Sequence, residues 1–142
     1  MAYLGWCKVL TASEDAALPL YERAIRLSPR DPSVSVWYRQ IGRMHLLQSR
    51  IEEAILWFEK ARSTAPTLSL TYASLASAYA LDGQTERAVA VAEARRLSAD
   101  GRYTSIARLK AAAGLNGGLP KIRALHEATF FAGLRKAGVP EE

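Results

Sequence analysis

The sequence predicts an all-α chain built from antiparallel helix pairs, and three observations carry that expectation. Small and aromatic residues recur at an interval of 34 residues, the length of a helix–turn–helix unit. Within each unit the apolar positions follow the i, i+4, i+7 spacing of one helix face. The breaks between these stripes are short and hold Ser, Asp, Gly or Pro, which end helices rather than continue them.

The repeat is explicit at named positions. Tyr38, Ile41, Gly42, His45, Ser49, Ala54, Phe58, Ala61 and Pro66 stand 34 residues before Tyr72, Leu75, Ala76, Tyr79, Gly83, Ala88, Ala92, Arg95 and Asp100. With a shift of 37, Gly5, Ala17, Tyr21, Ala24 and Pro29 take the places of Gly42, Ala54, Phe58, Ala61 and Pro66. The expected organisation is one domain over residues 1–142. It comprises a truncated first unit (1–34), two full units (35–68 and 69–102), and atypical capping helices with a short tail (103–142).

In chain order, the first unit begins inside its first helix, and Pro19 is expected to kink its second helix or delay its start to about Leu18. Trp37, Ile41, Met44 and His45 form the apolar face of the next helix. Gln48, Ser49 and Arg50 make a connection short enough for an antiparallel partner. That partner carries Ile51, Ala54, Ile55, Phe58 and Ala61 on one side, with Glu52, Glu53, Glu59 and Lys60 on the other. Gly42 and Ala76 sit mid-helix, where so small a residue points to close approach of a neighbouring helix. Pro66 ends one unit, Asp82-Gly83 marks the turn within the next, and Asp100-Gly101 marks its end. Tyr103 to Ala113 reads as helix, Asn116-Gly117-Gly118 as a turn, and Pro120 as the first residue of a last helix. That helix places Ile122, Leu125, Thr129 and Ala132 on one side, adds Phe130 and Phe131, and stops at Gly138 and Pro140. A solenoid needs an atypical terminal unit to shield its open face, which is the role expected of this pair.

A 34-residue helix–turn–helix unit with these small and aromatic positions resembles the tetratricopeptide repeat. It departs from that pattern at Tyr38, His45, Ser49, Tyr72, Ala92, Arg95 and Asp100. The resemblance implies a right-handed superhelix whose first helices line a concave groove for an extended peptide or a partner helix. By register that groove holds Val36, Arg39, Arg43, Leu47, Leu70, Ala73, Ser77 and Arg108. Trp6, Leu10 and Thr104 join it at the same register. Arg39 and Arg43 lie one turn apart and project together, which suits acidic groups on a partner. The asparagines of the carboxylate-clamping members of the family are absent. Three stretches, RLSPRDP from Arg26, WYRQIGRMHLLQSR from Trp37 and GLRKAGVPEE from Gly133, are also similar to the C-terminal repeat region of large bacterial signalling proteins. Those proteins often carry a cyclase or winged-helix domain upstream, and the catalytic residues of neither have a counterpart here.

Composition narrows the function. Of 142 residues, 49% are hydrophobic and 23% charged, which excludes wholesale disorder. No apolar run approaches the roughly 20 residues of a membrane span. Met1 to Leu10 lacks the basic lead of a signal peptide, so the expected location is the cytoplasm. The net charge of +5 sits wholly in residues 95–142, which hold nine Lys and Arg against four acids. That imbalance makes nucleic acid or an acidic partner the alternative reading. Catalytic patterns are missing: no phosphate-binding loop occurs, and His126-Glu127-Ala128-Thr129-Phe130 has Phe where a zinc-protease helix needs a second histidine. His126 is expected as a partly exposed cap residue, His45 as a packed histidine, and Cys7 as a buried, inert thiol. No enzyme, metal or cofactor is expected. The expected function is a protein-binding scaffold in a bacterial signalling or regulatory system. Tyr3, Leu4, Trp6, Val9, Leu18 and Tyr21 beside the incomplete first unit make a two-fold dimer the counterpart to a monomer.

Overall fold

A computed structural model describes residues 14–98, 105–112 and 120–142. Its α-helices are α1 (Glu14–Leu27), α2 (Val34–Leu47), α3 (Ile51–Thr64), α4 (Ser69–Leu81), α5 (Thr85–Ser98), α6 (Ile106–Ala112), α7 (Pro120–His126) and α8 (Ala132–Lys136). A π-helical stretch, Glu127–Phe131, joins α7 to α8, so Pro120 to Lys136 is one continuous helical segment. Among the described residues every regular element is helical. No helix among them is long and apolar enough to cross a membrane.

Helix α1 is already helical at Glu14, the first described residue, and continues through Pro19, so the expected delay to about Leu18 does not occur. Proline removes one i→i−4 hydrogen bond there. Its buried face is Ala17, Tyr21 and Ala24, at i, i+4 and i+7. Ala17 and Tyr21 pack with Ile41 and Met44 of α2, flanked by Leu18, Ile25, Trp37 and Trp57. The other side of α2 meets α3. A Cβ at Gly42 would stand 2.6 Å from two ring carbons of Phe58 and 3.1 Å from the Ala54 carbonyl oxygen. The expected close approach is therefore present, and it seats a fully buried phenyl ring contributing roughly 1.5–3 kcal/mol.

Helix α4 is the centre of the molecule. Its sequence, SLTYASLASAYAL, has no charged residue, and nine of its thirteen residues are buried. A helix with no face to give to water must be covered on all sides, and α4 is packed by α2, α3, α5 and the C-terminal helical segment. Helices α2, α4 and α8 end alike. Ser49, Gly83 and Gly138 adopt φ values of 59°, 80° and 87°. The next amides, of Arg50, Gln84 and Val139, bond back to the carbonyls of His45, Tyr79 and Leu134 at 2.9, 2.9 and 3.0 Å. This is the left-handed terminus that satisfies otherwise orphaned carbonyls.

The last segment is helical from Pro120, the first residue described after 112, and its buried side matches the predicted stripe only in part. Of the expected side Ile122, Thr129, Phe130 and Phe131 are buried. His126 is buried rather than Leu125, and past the π-helical stretch, which shifts the angular register, Gly133 and Leu134 are buried rather than Ala132. The segment lies along α4 and reaches α2, both far earlier in the chain. Its tail turns back on α6: the Ile106 and Ala107 amides donate to the Pro140 and Glu141 carbonyls, both at 2.9 Å. These carbonyls satisfy first-turn amides that α6 cannot satisfy internally.

Candidate functional site

The first helices of successive units share a stripe that is unusual for a core. On α2 it runs Val36, Gln40, Arg43 and Leu47, and on α4 the residues 34 positions later are Leu70, Ser74 and Ser77. Gln40, Arg43, Ser74 and Ser77 are all buried polar side chains. Buried polar groups cost stability unless they are hydrogen-bonded, and Ser74 meets this within its own helix, donating to the Leu70 carbonyl at 3.0 Å. The C-terminal helical segment lies on it.

Two contacts fix that helix. At α4, the Ser77 hydroxyl donates to the Phe130 carbonyl at 2.7 Å. Gly133 crosses the same residue so closely that a Cβ there would fall on Ser77 Oγ and its carbonyl oxygen, 2.9 Å from the carbonyl carbon. Only glycine permits this approach. At α2, Arg43 Nε donates to His126 Nε2 at 2.9 Å, and Nη2 approaches the same nitrogen. His126 Nδ1 faces the Ile122 carbonyl at 2.9 Å. An Nε2 that accepts and an Nδ1 that donates define the neutral imidazole.

The electrostatics follow from burial. Arg43 is 8% and His126 3% exposed. Desolvation, then the neighbouring Arg43 cation, lower the His126 pKa from 6.5 to about 3, against smaller opposing effects of the Ile122 carbonyl and Glu127. Desolvation, then Arg39, lower Arg43 to about 9, which leaves it a cation at neutral pH. His126 is thus corrected from a partly exposed cap residue to a buried contact, because the last helix turns inward over α2.

The other predicted groove residues fall on or beside this face. Leu47, Ala73 and Ser77 are buried, Val36, Arg39 and Leu70 are half-buried, and Arg108 is exposed. Arg39 and Arg43 are near enough to depress the Arg43 pKa, but Arg43 points under the last helix. Of the residues expected at a self-association face, Tyr21 is core, 1% exposed. Tyr3, Leu4, Trp6 and Val9 lie outside the described residues, as do Leu10, Cys7 and Thr104. His45 is half-buried and accepts from Arg50 Nε at 2.9 Å. Burial, then Arg50, lower its pKa. Sequence reasoning missed Gln40, Ser74, His126, Phe130 and Gly133 as parts of this face. Gly133 alone carried a signal, a glycine inside a helical run.

A second feature shares no residue with that stripe. Tyr38, Leu56, Trp57, Glu59, Lys60, Ser63 and Thr64 line an open cleft of about 630 Å³ between α2 and α3. The Tyr38 and Trp57 rings are 5.8 Å apart, and Lys60 Nζ stands 4.5 Å from the Trp57 centroid.

The basic C-terminal third is partly neutralised. Glu127 takes Lys110 and Arg135, Arg135 also reaches Glu141, and Lys110 lies 4.7 Å from the Phe131 centroid. No group of three or more metal-ligating side chains occurs among the described residues. No protein-family model matches the chain, and no curated protein matches it.

Proposed function

We propose that this chain is a non-catalytic scaffold of the tetratricopeptide type, its helix pairs stacked in a right-handed superhelix, that holds a protein partner on the face of its first helices. The observation that supports this is the buried polar stripe of Gln40, Arg43, Ser74 and Ser77, which accepts a helix through side-chain-to-backbone and side-chain-to-side-chain bonds. The similarity of three stretches to the repeat region of bacterial signalling proteins supports reading it as a partner-binding or self-associating module of a cytoplasmic signalling or regulatory system. The nucleic-acid reading is weakened at two of the nine cations of residues 95–142, since Lys110 and Arg135 are engaged by Glu127 and Glu141.

Selection of helical peptides from a displayed library against the full chain, followed by NMR titration, tests this. Amide shifts in α2, α4 and the Pro120–Lys136 segment that covers them, and loss of binding in Ser77→Arg, are the expected outcome. No selected peptide on this face, with a duplex DNA or RNA probe instead shifting exposed basic positions at an affinity that falls steeply with salt, would replace the scaffold reading with the nucleic-acid one.

A further inference from the structure

We propose that the helical segment Pro120–Lys136 is an intramolecular ligand of the α2–α4 face, and that a partner helix gains the face by displacing it. The inference rests on the reading of that face as the binding face and adds its regulation and the chemistry of the displacing partner. Three observations carry it.

The segment packs on α4, and it is also tied to α6 by bonds that do not involve the face. The Pro140 and Glu141 carbonyls hold the amides of Ile106 and Ala107, Glu127 joins Lys110 to Arg135, and Lys110 covers Phe131. All of these ties lie within residues 105–142 and survive if the segment leaves the face as a unit.

Its fit on the face is incomplete. Gln40, one turn before Arg43 on the same stripe, keeps a buried Oε1 with no hydrogen-bond partner among the described residues. Docking also buries the Arg43 guanidinium against a neutral imidazole. A buried polar atom without a partner costs stability, and the imidazole brings no charge to the guanidinium it meets.

The docked helix is irregular where it touches the face. Phe130, whose carbonyl accepts from Ser77, lies in the π-helical stretch Glu127–Phe131. Such stretches are rare and cluster at functional sites.

The partner chemistry follows from the same contacts. A displacing helix needs a small residue where it crosses Ser77, as Gly133 does. At the place of His126, seven residues earlier, a carboxylate would give Arg43 a charge-assisted, bidentate acceptor. The face is therefore suited to an amphipathic helix with Asp or Glu followed seven positions later by Gly or Ala.

Hydrogen exchange on the full wild-type chain is the first test. Amides of 121–136 are expected to exchange together, through an opening that leaves α2–α5 protected. Exchange of 121–136 only with global unfolding would overturn the proposal. The second test uses a labelled peptide of residues 120–142 as the probe. A full chain carrying Gly133→Leu, whose own segment cannot seat over Ser77, is expected to bind it about ten-fold or more tightly than wild type, because self-occupancy lowers apparent affinity by the open fraction. A peptide carrying His126→Glu is expected to bind about ten-fold tighter again. A Gly133→Leu chain that binds no tighter than wild type, or that loses the helical signal of α2–α5, would also overturn the proposal. Every probe is the chain's own segment, so these failures leave the scaffold reading standing, and a failed search for outside partners leaves this inference standing.

Discussion

Acid should weaken the seating of the last helix through a single proton. His126 is held neutral because protonation would place a second cation against Arg43 in a buried site. Once the helix leaves, the imidazole returns to its ordinary pKa of 6.5, whereas in the seated state it is about 3. A base with its folded pKa depressed contributes stability that is complete above the released pKa and lost as pH falls below it. Between pH 6.5 and pH 3 the loss is about 1.4 kcal/mol per pH unit, hence about 2 kcal/mol by pH 5. His45, also shifted down by burial and Arg50, contributes in the same direction, so the measurement must be a difference. Urea unfolding of wild type and His126→Gln at pH 7.5, 6 and 5 isolates the effect, because glutamine offers Arg43 an oxygen acceptor and does not titrate. The carboxylates held low by ion pairs, Glu127 and Glu141, act only below about pH 4.5, outside this window. Wild type should lose about 2 kcal/mol more than the variant between pH 7.5 and 5. Equal pH slopes for the two proteins would refute the reasoning, and would mean that His126 is solvated or already protonated where it sits.

Three further outcomes follow from packing. Gly42→Ala should destabilise, since a Cβ 2.6 Å from the Phe58 ring incurs an overpacking cost of ~1–3 kcal/mol that exceeds the roughly 1 kcal/mol gained in helix propensity; a double-mutant cycle with Phe58→Leu should show positive coupling in chemical unfolding. Ser49→Gly should stabilise by about 0.5–1 kcal/mol, because Ser49 holds φ 59° at a cost that glycine does not bear, and an unchanged or lower melting temperature counts against it. Tyr79→Phe should cost about 1 kcal/mol by removing the hydroxyl bonded to Glu59, with the loss abolished in a Glu59→Ala background, which has no side-chain acceptor.

The helices from α2 to α5 were legible because each of their signals is local. Gly42 and Phe58 lie within one helix pair, and the predicted small and aromatic positions Ala54, Phe58, Ala61, Leu75, Ala76 and Ala88 are fully buried. The left-handed termini at Ser49 and Gly83 lie 34 residues apart, although serine there hides the turn from a reading that looks only for glycine. Boundaries were weaker. Pro19 argues for a late start to α1, but the burial of Ala17 and Tyr21 against Ile41 and Met44 outweighs one lost backbone bond.

The site was less legible, for a reason that lies in the distance between its halves. Periodicity locates the stripe containing Arg43 and Ser77 but cannot say what covers it. The covering residues, His126 and Phe130, are 83 and 53 positions downstream of their partners and belong to no repeat. The π-helical stretch adds a second obstacle, because a 3.6-residue template applied through Glu127–Phe131 assigns the wrong face to everything beyond it. Beyond that stretch the template selects Ala132, which is half-buried, over Gly133, which is buried. The logic applied to Gly42 would have found Gly133. Both are glycines inside helices, where the residue costs about 1 kcal/mol relative to alanine, and both mark a backbone approached too closely for a Cβ. At Gly42 the approaching helix is the next in sequence, so the inference names its partner. At Gly133 the same inference requires a neighbour and leaves its identity open, and the unclaimed polar stripe on α2 and α4 is the surface that answers it.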